Sequence, residues 1–223
     1  MDSTIILLAN AVLITLTLVL ALGTIALLSS KGSKPKISRQ EMCEQTVTNA
    51  LRSLDMKSYV VFENLILPSR GNTPHTEIDQ VVVSPYGIFC IETKSHQGAI
   101  YGFKSSGRWK QYLGGKEFDI INPLRQNYKH TSAVEDLLGA NLRAKVHSYI
   151  VFPNARSVKI DGEYVDCSIG ETIKKISRHK SPIYDLHDCE RILKSFAYAS
   201  SKRDELKGRH KEEVQAYLKS KVA

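Results

Sequence analysis

No CxxC pair occurs among the four cysteines, Cys43, Cys90, Cys167 and Cys189, and no Cys/His spacing matches a zinc site. Zinc ribbons and zinc-finger chemistry are therefore excluded. Thiols scattered in this way fit a reducing compartment better than a disulfide framework. No internal repeat is present, which removes solenoids and propellers. Tryptophan occurs once, at Trp109. Charge is missing from the N-terminal segment: before Lys31 the only charged residue is Asp2. A cleavable signal peptide calls for a basic start and a shorter apolar stretch, so this absence argues against one.

The segment after Asp2 is apolar. Ile5 to Leu28 form a run of 24 residues in which Asn10 is the only strongly polar member. About 20 residues are enough to cross the hydrocarbon layer. Lys31, Lys34, Lys36 and Arg39 come directly after it. The excess of basic residues on that side predicts an anchor with its N-terminus outside and the rest of the chain in the cytoplasm, at the inner or plasma membrane. The expected organisation is a transmembrane anchor over 1–30, a basic linker over 31–37, a globular domain over 38–155 and a helical extension over 156–223.

The whole chain has 31 Lys and Arg against 23 Asp and Glu, a net charge of +8. Leaving out Asp2 raises that to +9 for the remainder. A basic domain suggests an acidic partner, either nucleic acid or an anionic membrane surface. Juxtamembrane and tail lysines also account for much of the excess.

Local signals place the elements. Ser38 with Glu41 three residues on forms a capping box for a helix whose apolar members are Met42, Val47, Ala50, Leu51 and Leu54. Ser58 to Pro68 reads as a strand. Arg108 to Leu113 and Glu117 to Ile121 read as two more, separated by Gly114-Gly115-Lys116. Asn122-Pro123 then opens a helix to Gly139, with Leu124, Tyr128, Val134, Leu137 and Leu138 as expected core positions. Gln126, Asn127, Lys129 and His130 near its start either face water or serve an anion at the helix N-terminus. Lys145 to Phe152 returns as a strand, and this strand–helix–strand crossover indicates a mixed α/β fold. Helices follow from Gly170. The tail from Ser200 interleaves both charge signs, like a solvated helix.

The most informative stretch is TEIDQVVVSPYGIFCIETK. Ile78 to Val83 and Ile88 to Lys94 read as two strands around the turn Ser84-Pro85-Tyr86-Gly87. Side chains alternate along a strand, so Glu92 and Lys94 share a face with Ile88 and Cys90. A hairpin brings Asp79 beside them. Two adjacent carboxylates are costly to desolvate unless something positive sits between them. A hard divalent cation meets that need with oxygen ligands. The spacing of Asp79, Glu92 and Lys94 is that of a D…(D/E)-x-K phosphodiesterase site. An ordinary hairpin with a solvated Glu92–Lys94 edge pair satisfies the same residues. Glu44 on the first helix reads as a solvated carboxylate on spacing alone. His75 and His96 read as solvated loop histidines.

Taken together, Glu44, TEIDQVVVSPYGIFCIETK, Gly98-x-Ile100-Tyr101-Gly102, Trp109 and Asn122-Pro123-Leu124-Arg125-Gln126-Asn127 resemble the NERD (nuclease-related) domain family over about Ser38 to Pro153. That family is placed with the restriction-endonuclease-like PD-(D/E)xK nucleases and occurs in bacterial proteins, some of them membrane-anchored. The resemblance implies a mixed central sheet flanked by helices. It implies metal-dependent hydrolysis of phosphodiester bonds, with nucleic acid as partner, DNA ahead of RNA. Glu44, Asp79 and Glu92 match the family's metal-binding acids, for Mg²⁺ or Mn²⁺. Lys94 matches the lysine of the E-x-K element, and Gln126 a polar position near the same site. Gln80 departs from the pattern, since many members carry His after the Asp. A non-catalytic nucleic-acid-binding or scaffold module that keeps the nuclease fold is the alternative. Lys104, Arg108, Lys110, Arg125 and Lys129 are expected phosphate contacts.

Overall fold

The first helix starts where the sequence placed it. Ser38 Oγ accepts the Glu41 N–H at 3.1 Å, and Glu41 Oε2 accepts the Ser38 N–H at 2.7 Å, closing the capping box of α1 (Arg39–Leu51). The computed structural model describes residues 37–139, 142, 146–161 and 164–222. The apolar run 5–28 lies outside them. Among the described residues, no helix is long and apolar enough to cross a membrane. The chain divides into two units, Met1–Ile37 and Ser38–Ala223, and α1 and every later element belong to the second.

Strands β1 (Val60–Pro68), β2 (His75–Ser84) and β3 (Gly87–Thr93) form an antiparallel meander, followed by β4 (Gly98–Gly102), β5 (Arg108–Leu113) and β6 (Lys116–Ile121). Helix α2 (Pro123–Leu138) then crosses over to β7 (Val146–Val151), which lies parallel to β3. Next come β8 (Ala155–Ile160), β9 (Val165–Asp166), α3 (Ile169–Ser177), α4 (Leu186–Ser201) and α5 (Arg203–Val222). The mixed α/β fold matches expectation, but a single central sheet does not. Two mixed sheets are present, ordered β1-β2-β3-β7-β9 and β6-β5-β4-β8. The segment 156–223, expected as helical, opens with two strands that join them.

The two sheets share one ribbon. The parallel pair β3/β7 belongs to the first sheet and the parallel pair β4/β8 to the second. Both chains leave one pair and enter the other within a few residues, and Lys94 N–H donates to Val151 C=O at 2.8 Å at the corner. Gly98 sits at this corner with φ +78°, and a Cβ there would collide with the Tyr112 carbonyl. Only glycine meets both demands without strain.

Three apolar clusters hold the layers. On one face of the first sheet, Val81, Val83, Ile88 and Cys90 pack against Val134 and Leu138 of α2 and Ile192 and Phe196 of α4. On the other, Val82, Phe89, Ile91 and Tyr149 meet Val47 and Leu51 of α1 and Ile176 of α3. Between the sheets, Ile100, Trp109 and Ile120 pack with Ile150 and Phe152. Each such side chain contributes about 1.5–3 kcal/mol by leaving water.

Two expected core residues are wrong. Met42 is 58 % exposed, and Cys43 and Thr48 take the inner face of α1 instead. Tyr128 is 74 % exposed, while Asn127, His130 and Thr131 are buried. The expected solvated tail also docks on one side. Leu206, His210, Glu213, Val214 and Tyr217 of α5 are half-buried at helical spacing. His75 Nδ1 meets Glu213 Oε1 at 2.9 Å, and Asn72 Nδ2 donates to Tyr217 OH at 3.1 Å. His75 is thus tied to the tail rather than solvated. His96 is half-buried too, set edge-on to Phe152, with its Nδ1 inaccessible to water.

Candidate active site

The hairpin changes character at its open end. Its ladder runs regularly from Ser84↔Gly87 to Gln80↔Ile91 and stops there. One step further Asp79 would face Glu92. The Asp79 side chain takes over instead, with Oδ2 accepting the Thr93 N–H at 2.8 Å. In the neighbouring strand β1, Asn64 adopts φ +52°, a left-handed conformation that Asn tolerates better than most residues. It falls between the pairs Glu63↔Gln80 and Leu65↔Ile78, opposite Asp79. The in–out alternation is broken at this point: Ile78 and Val81, three residues apart, reach the same core cluster. A local kink therefore lifts Asp79 out of the pleat.

Helix α1 closes the site from the opposite face. Gln40 Nε2 donates to Glu44 Oε1 at 2.7 Å and to the Thr93 carbonyl at 2.6 Å, while Gln40 Oε1 accepts the Ser95 N–H at 3.0 Å. Gln80 fastens the same corner, donating to the Glu44 carbonyl at 3.3 Å and accepting the Thr93 hydroxyl at 2.9 Å. The position that departs from the resemblance thus serves as a buried clamp between α1 and β3.

Glu92 is 1 % exposed. Lys94 Nζ lies 2.6 Å from its Oε1 and donates to Gln126 Oε1 at 2.8 Å. His130 Nδ1 lies 3.1 Å from Glu92 Oε2, close enough for an ion pair but outside hydrogen-bond alignment, so both atoms are otherwise unpartnered. Burial pushes Glu92 up, but contact with His130 and then Lys94 outweighs it and holds the carboxyl below its ordinary range. Asp79 behaves oppositely. Burial first, then the charges of Glu92 and Glu44, push it well above the ordinary carboxylate range. Burial also raises Glu44. His96 is lowered by burial and by Lys94.

The structure thus brings Asp79, Glu92 and Lys94 together, with Glu44 and Gln126 at the rim. The solvated edge pair considered for Glu92 and Lys94 is ruled out by the burial of Glu92, and Glu44 is not a free surface carboxylate. Gln40 escaped the sequence reading, and His130, read there as facing water or an anion, instead stands behind Glu92. Only their helical offsets could have pointed to them: Gln40 lies one turn before Glu44, and His130 one turn after Gln126. The expected phosphate contacts are dispersed. Lys110 is committed to Glu117 at 2.7 Å and Asp119 at 2.8 Å, and Lys129 to the Thr73 hydroxyl at 2.7 Å. Arg125 donates to the Ser105 carbonyl at 3.2 Å, while Lys104 and Arg108 are exposed.

Among the described residues, no group of three or more His, Cys, Asp or Glu is arranged to hold a metal ion. The expected triad of Glu44, Asp79 and Glu92 is therefore not closed into a ligand set. The donor chemistry still fits a hard cation. Glu92 and Glu44 raise the charging cost of Asp79, Glu92 adds to that of Glu44, and Glu92 Oε2 is a buried acceptor lacking a hydrogen bond.

The hairpin thus carries Asp79, Glu92 and Lys94 to one end of two interior strands of the sheet, beneath Glu44 of α1. The family model described as nuclease-related domain, NERD, matches residues 39–153, just over half of the chain. The chain belongs to this family. A curated relative, an uncharacterised protein of Bacillus anthracis, is 40 % identical over 100 residues, which cover 44 % of this chain and 46 % of that protein. The chain thus spans less than half the length of that relative. No solved structure matches.

Proposed function

We propose that this chain is a metal-dependent nuclease that hydrolyses nucleic-acid phosphodiester bonds. The observation that carries the reading is the buried Glu92, held by Lys94 at 2.6 Å, beside an Asp79 whose charging is opposed by its neighbours. A structural ion pair gains nothing from further carboxylates at its edge, whereas a hard cation takes them as ligands. Asp79 and Glu92, with Glu44, would hold Mg²⁺ or Mn²⁺. When bound, the cation polarises a phosphoryl oxygen and lowers the pKa of a coordinated water. Lys94 Nζ, held between Glu92 and Gln126, meets the negative charge that develops on the phosphate. His130 keeps Glu92 charged and oriented from behind. Gln40 fixes Glu44 and the Thr93 carbonyl relative to each other.

In the same proposal, the central fold is restriction-endonuclease-like, and residues 5–28 anchor the chain in the inner or plasma membrane with the domain in the cytoplasm. The length of that apolar run and the lysines after it support this placement. DNA stands ahead of RNA as substrate. The test incubates the full chain, in detergent, with single- and double-stranded DNA and RNA in Mg²⁺, Mn²⁺ or EDTA. Cleavage that disappears in EDTA and in Asp79→Ala supports the enzyme. One observation favours a second reading, a non-catalytic binding module: both Glu92 oxygens already have a nitrogen against them, Lys94 Nζ at 2.6 Å and His130 Nδ1 at 3.1 Å. Nucleic-acid binding without cleavage, unchanged in Asp79→Ala, would establish that module.

A further inference from the structure

Beside the carboxylate cluster lies a cavity of about 320 Å³, at the lower end of ligand-pocket sizes. Its walls are Arg39 at the start of α1, His96 and Gln97 after β3, and Gln111, Leu113 and Phe118 of the β5–β6 hairpin. Phe118 is 45 % exposed and sits opposite Gln111 in the ladder. Gln97 is held in place from two sides. Its carbonyl accepts Gln111 Nε2 at 2.8 Å, and its side-chain oxygen lies 3.5 Å from Arg39 Nη1. The cavity therefore combines one accessible aromatic face, two side-chain amides, a guanidinium and an imidazole.

The cavity and the carboxylate cluster are built from the same two short segments. Arg39 of the cavity precedes Gln40, whose amide holds Glu44 and the Thr93 carbonyl. Lys94 of the cluster precedes the cavity residues Ser95, His96 and Gln97, and Ser95 N–H is held by Gln40 Oε1. The cavity thus adjoins Lys94 through Ser95, which places it next to the position of a phosphate at Lys94. The space suits one planar ring, not a duplex. An aromatic face stacks any base, amides address base edges, and Arg39 offers a charge to the adjoining phosphate.

We propose that this cavity receives one unpaired nucleobase of a single-stranded nucleic acid, stacked on Phe118, next to the phosphodiester at Lys94. The proposal rests on the nuclease reading for that neighbouring phosphodiester. Binding is measured on the full chain in EDTA, by fluorescence anisotropy, with three probes: a short single-stranded DNA oligonucleotide, the same strand with abasic sites, and its duplex. The expected result is tighter binding of the intact single strand than of the abasic one. Phe118→Ala weakens the intact strand about tenfold, as base stacking on an aromatic does, and leaves the abasic strand and duplex unchanged. Phe118→Trp keeps the intact-strand affinity, which separates stacking from folding. Equal loss on all three probes, no loss on any, or a Phe118→Trp chain as weak as Phe118→Ala overturns the proposal. Because no metal is present, cleavage plays no part in the readout. A chain that never cleaves can pass this test and a cleaving chain can fail it, so the two readings fall separately.

Discussion

The two ends of the β2–β3 hairpin are made of the same strands and could hardly differ more. At the turn end, Val83, Ile88 and Cys90 are sealed in an apolar cluster, and the ladder is regular. At the open end the ladder stops, and Asp79, Glu92 and Lys94 meet. Burial does not separate the ends, since Glu92 is as buried as Ile88. The difference lies in what covers them. Leucine and valine of α2 cover the turn end, and His130 and Gln126 from earlier in the same helix cover the other. One end stabilises the domain, and the other uses that stability to hold like charges together.

The strongest separation of the two ends is expected in activity. Lys94→Ala or Glu92→Gln should lower the cleavage rate by about 10²–10⁴-fold, the range for losing a positioned charged or proton-transferring group. Ile88→Ala, at the turn end, should cost about 2–5 kcal/mol of stability through the cavity it leaves. Denaturant melts should show that loss while the rate per folded molecule stays unchanged. If Ile88→Ala also slows the rate per folded molecule, the ends are not independent. Gly87→Ala tests the turn itself. With φ +150° and His147 at 3.3 Å from the added Cβ, it should cost about 1–2 kcal/mol, read the same way.

The smallest effect has the opposite sign. Asp79 is raised in the folded chain, so at neutral pH its charged form opposes folding. That penalty is complete above the folded pKa and fades as pH falls toward the ordinary value of about 4. Asp79→Asn should therefore gain about 1 kcal/mol at pH 7, roughly 2–4 °C in Tm for a domain of this size. The gain should shrink in acid, and cleavage should be lost. An Asn variant whose advantage is the same at pH 7 and pH 4 would show that the carboxylates do not strain one another.

Much of the hairpin was legible because its signals are local. β-branched runs around Ser84-Pro85-Tyr86-Gly87 leave little choice, and the spacing of Asp79, Glu92 and Lys94 survives without coordinates. The inner face of α2 was not legible. Periodicity favours Tyr128 for the core, yet the facing surface offers polar atoms. Asn127 Nδ2 donates to the Cys90 carbonyl at 3.2 Å and the Tyr149 carbonyl at 3.1 Å, and His130 meets Glu92. A helix lying over a site buries polar residues, and hydropathy then points to the wrong side. The split into two sheets was hidden for another reason. It depends on β3 and β7 turning together, and a non-local pairing leaves no mark in either segment alone.

The thiols carry a practical consequence. All four are unpaired; Cys43 and Cys90 are buried, Cys189 is partly covered and Cys167 is exposed. Burial also raises the thiols of Cys43, Cys90 and Cys189, so they ionise less readily. A maleimide dye should therefore attach first at Cys167, giving the native chain a spectroscopic handle without engineering.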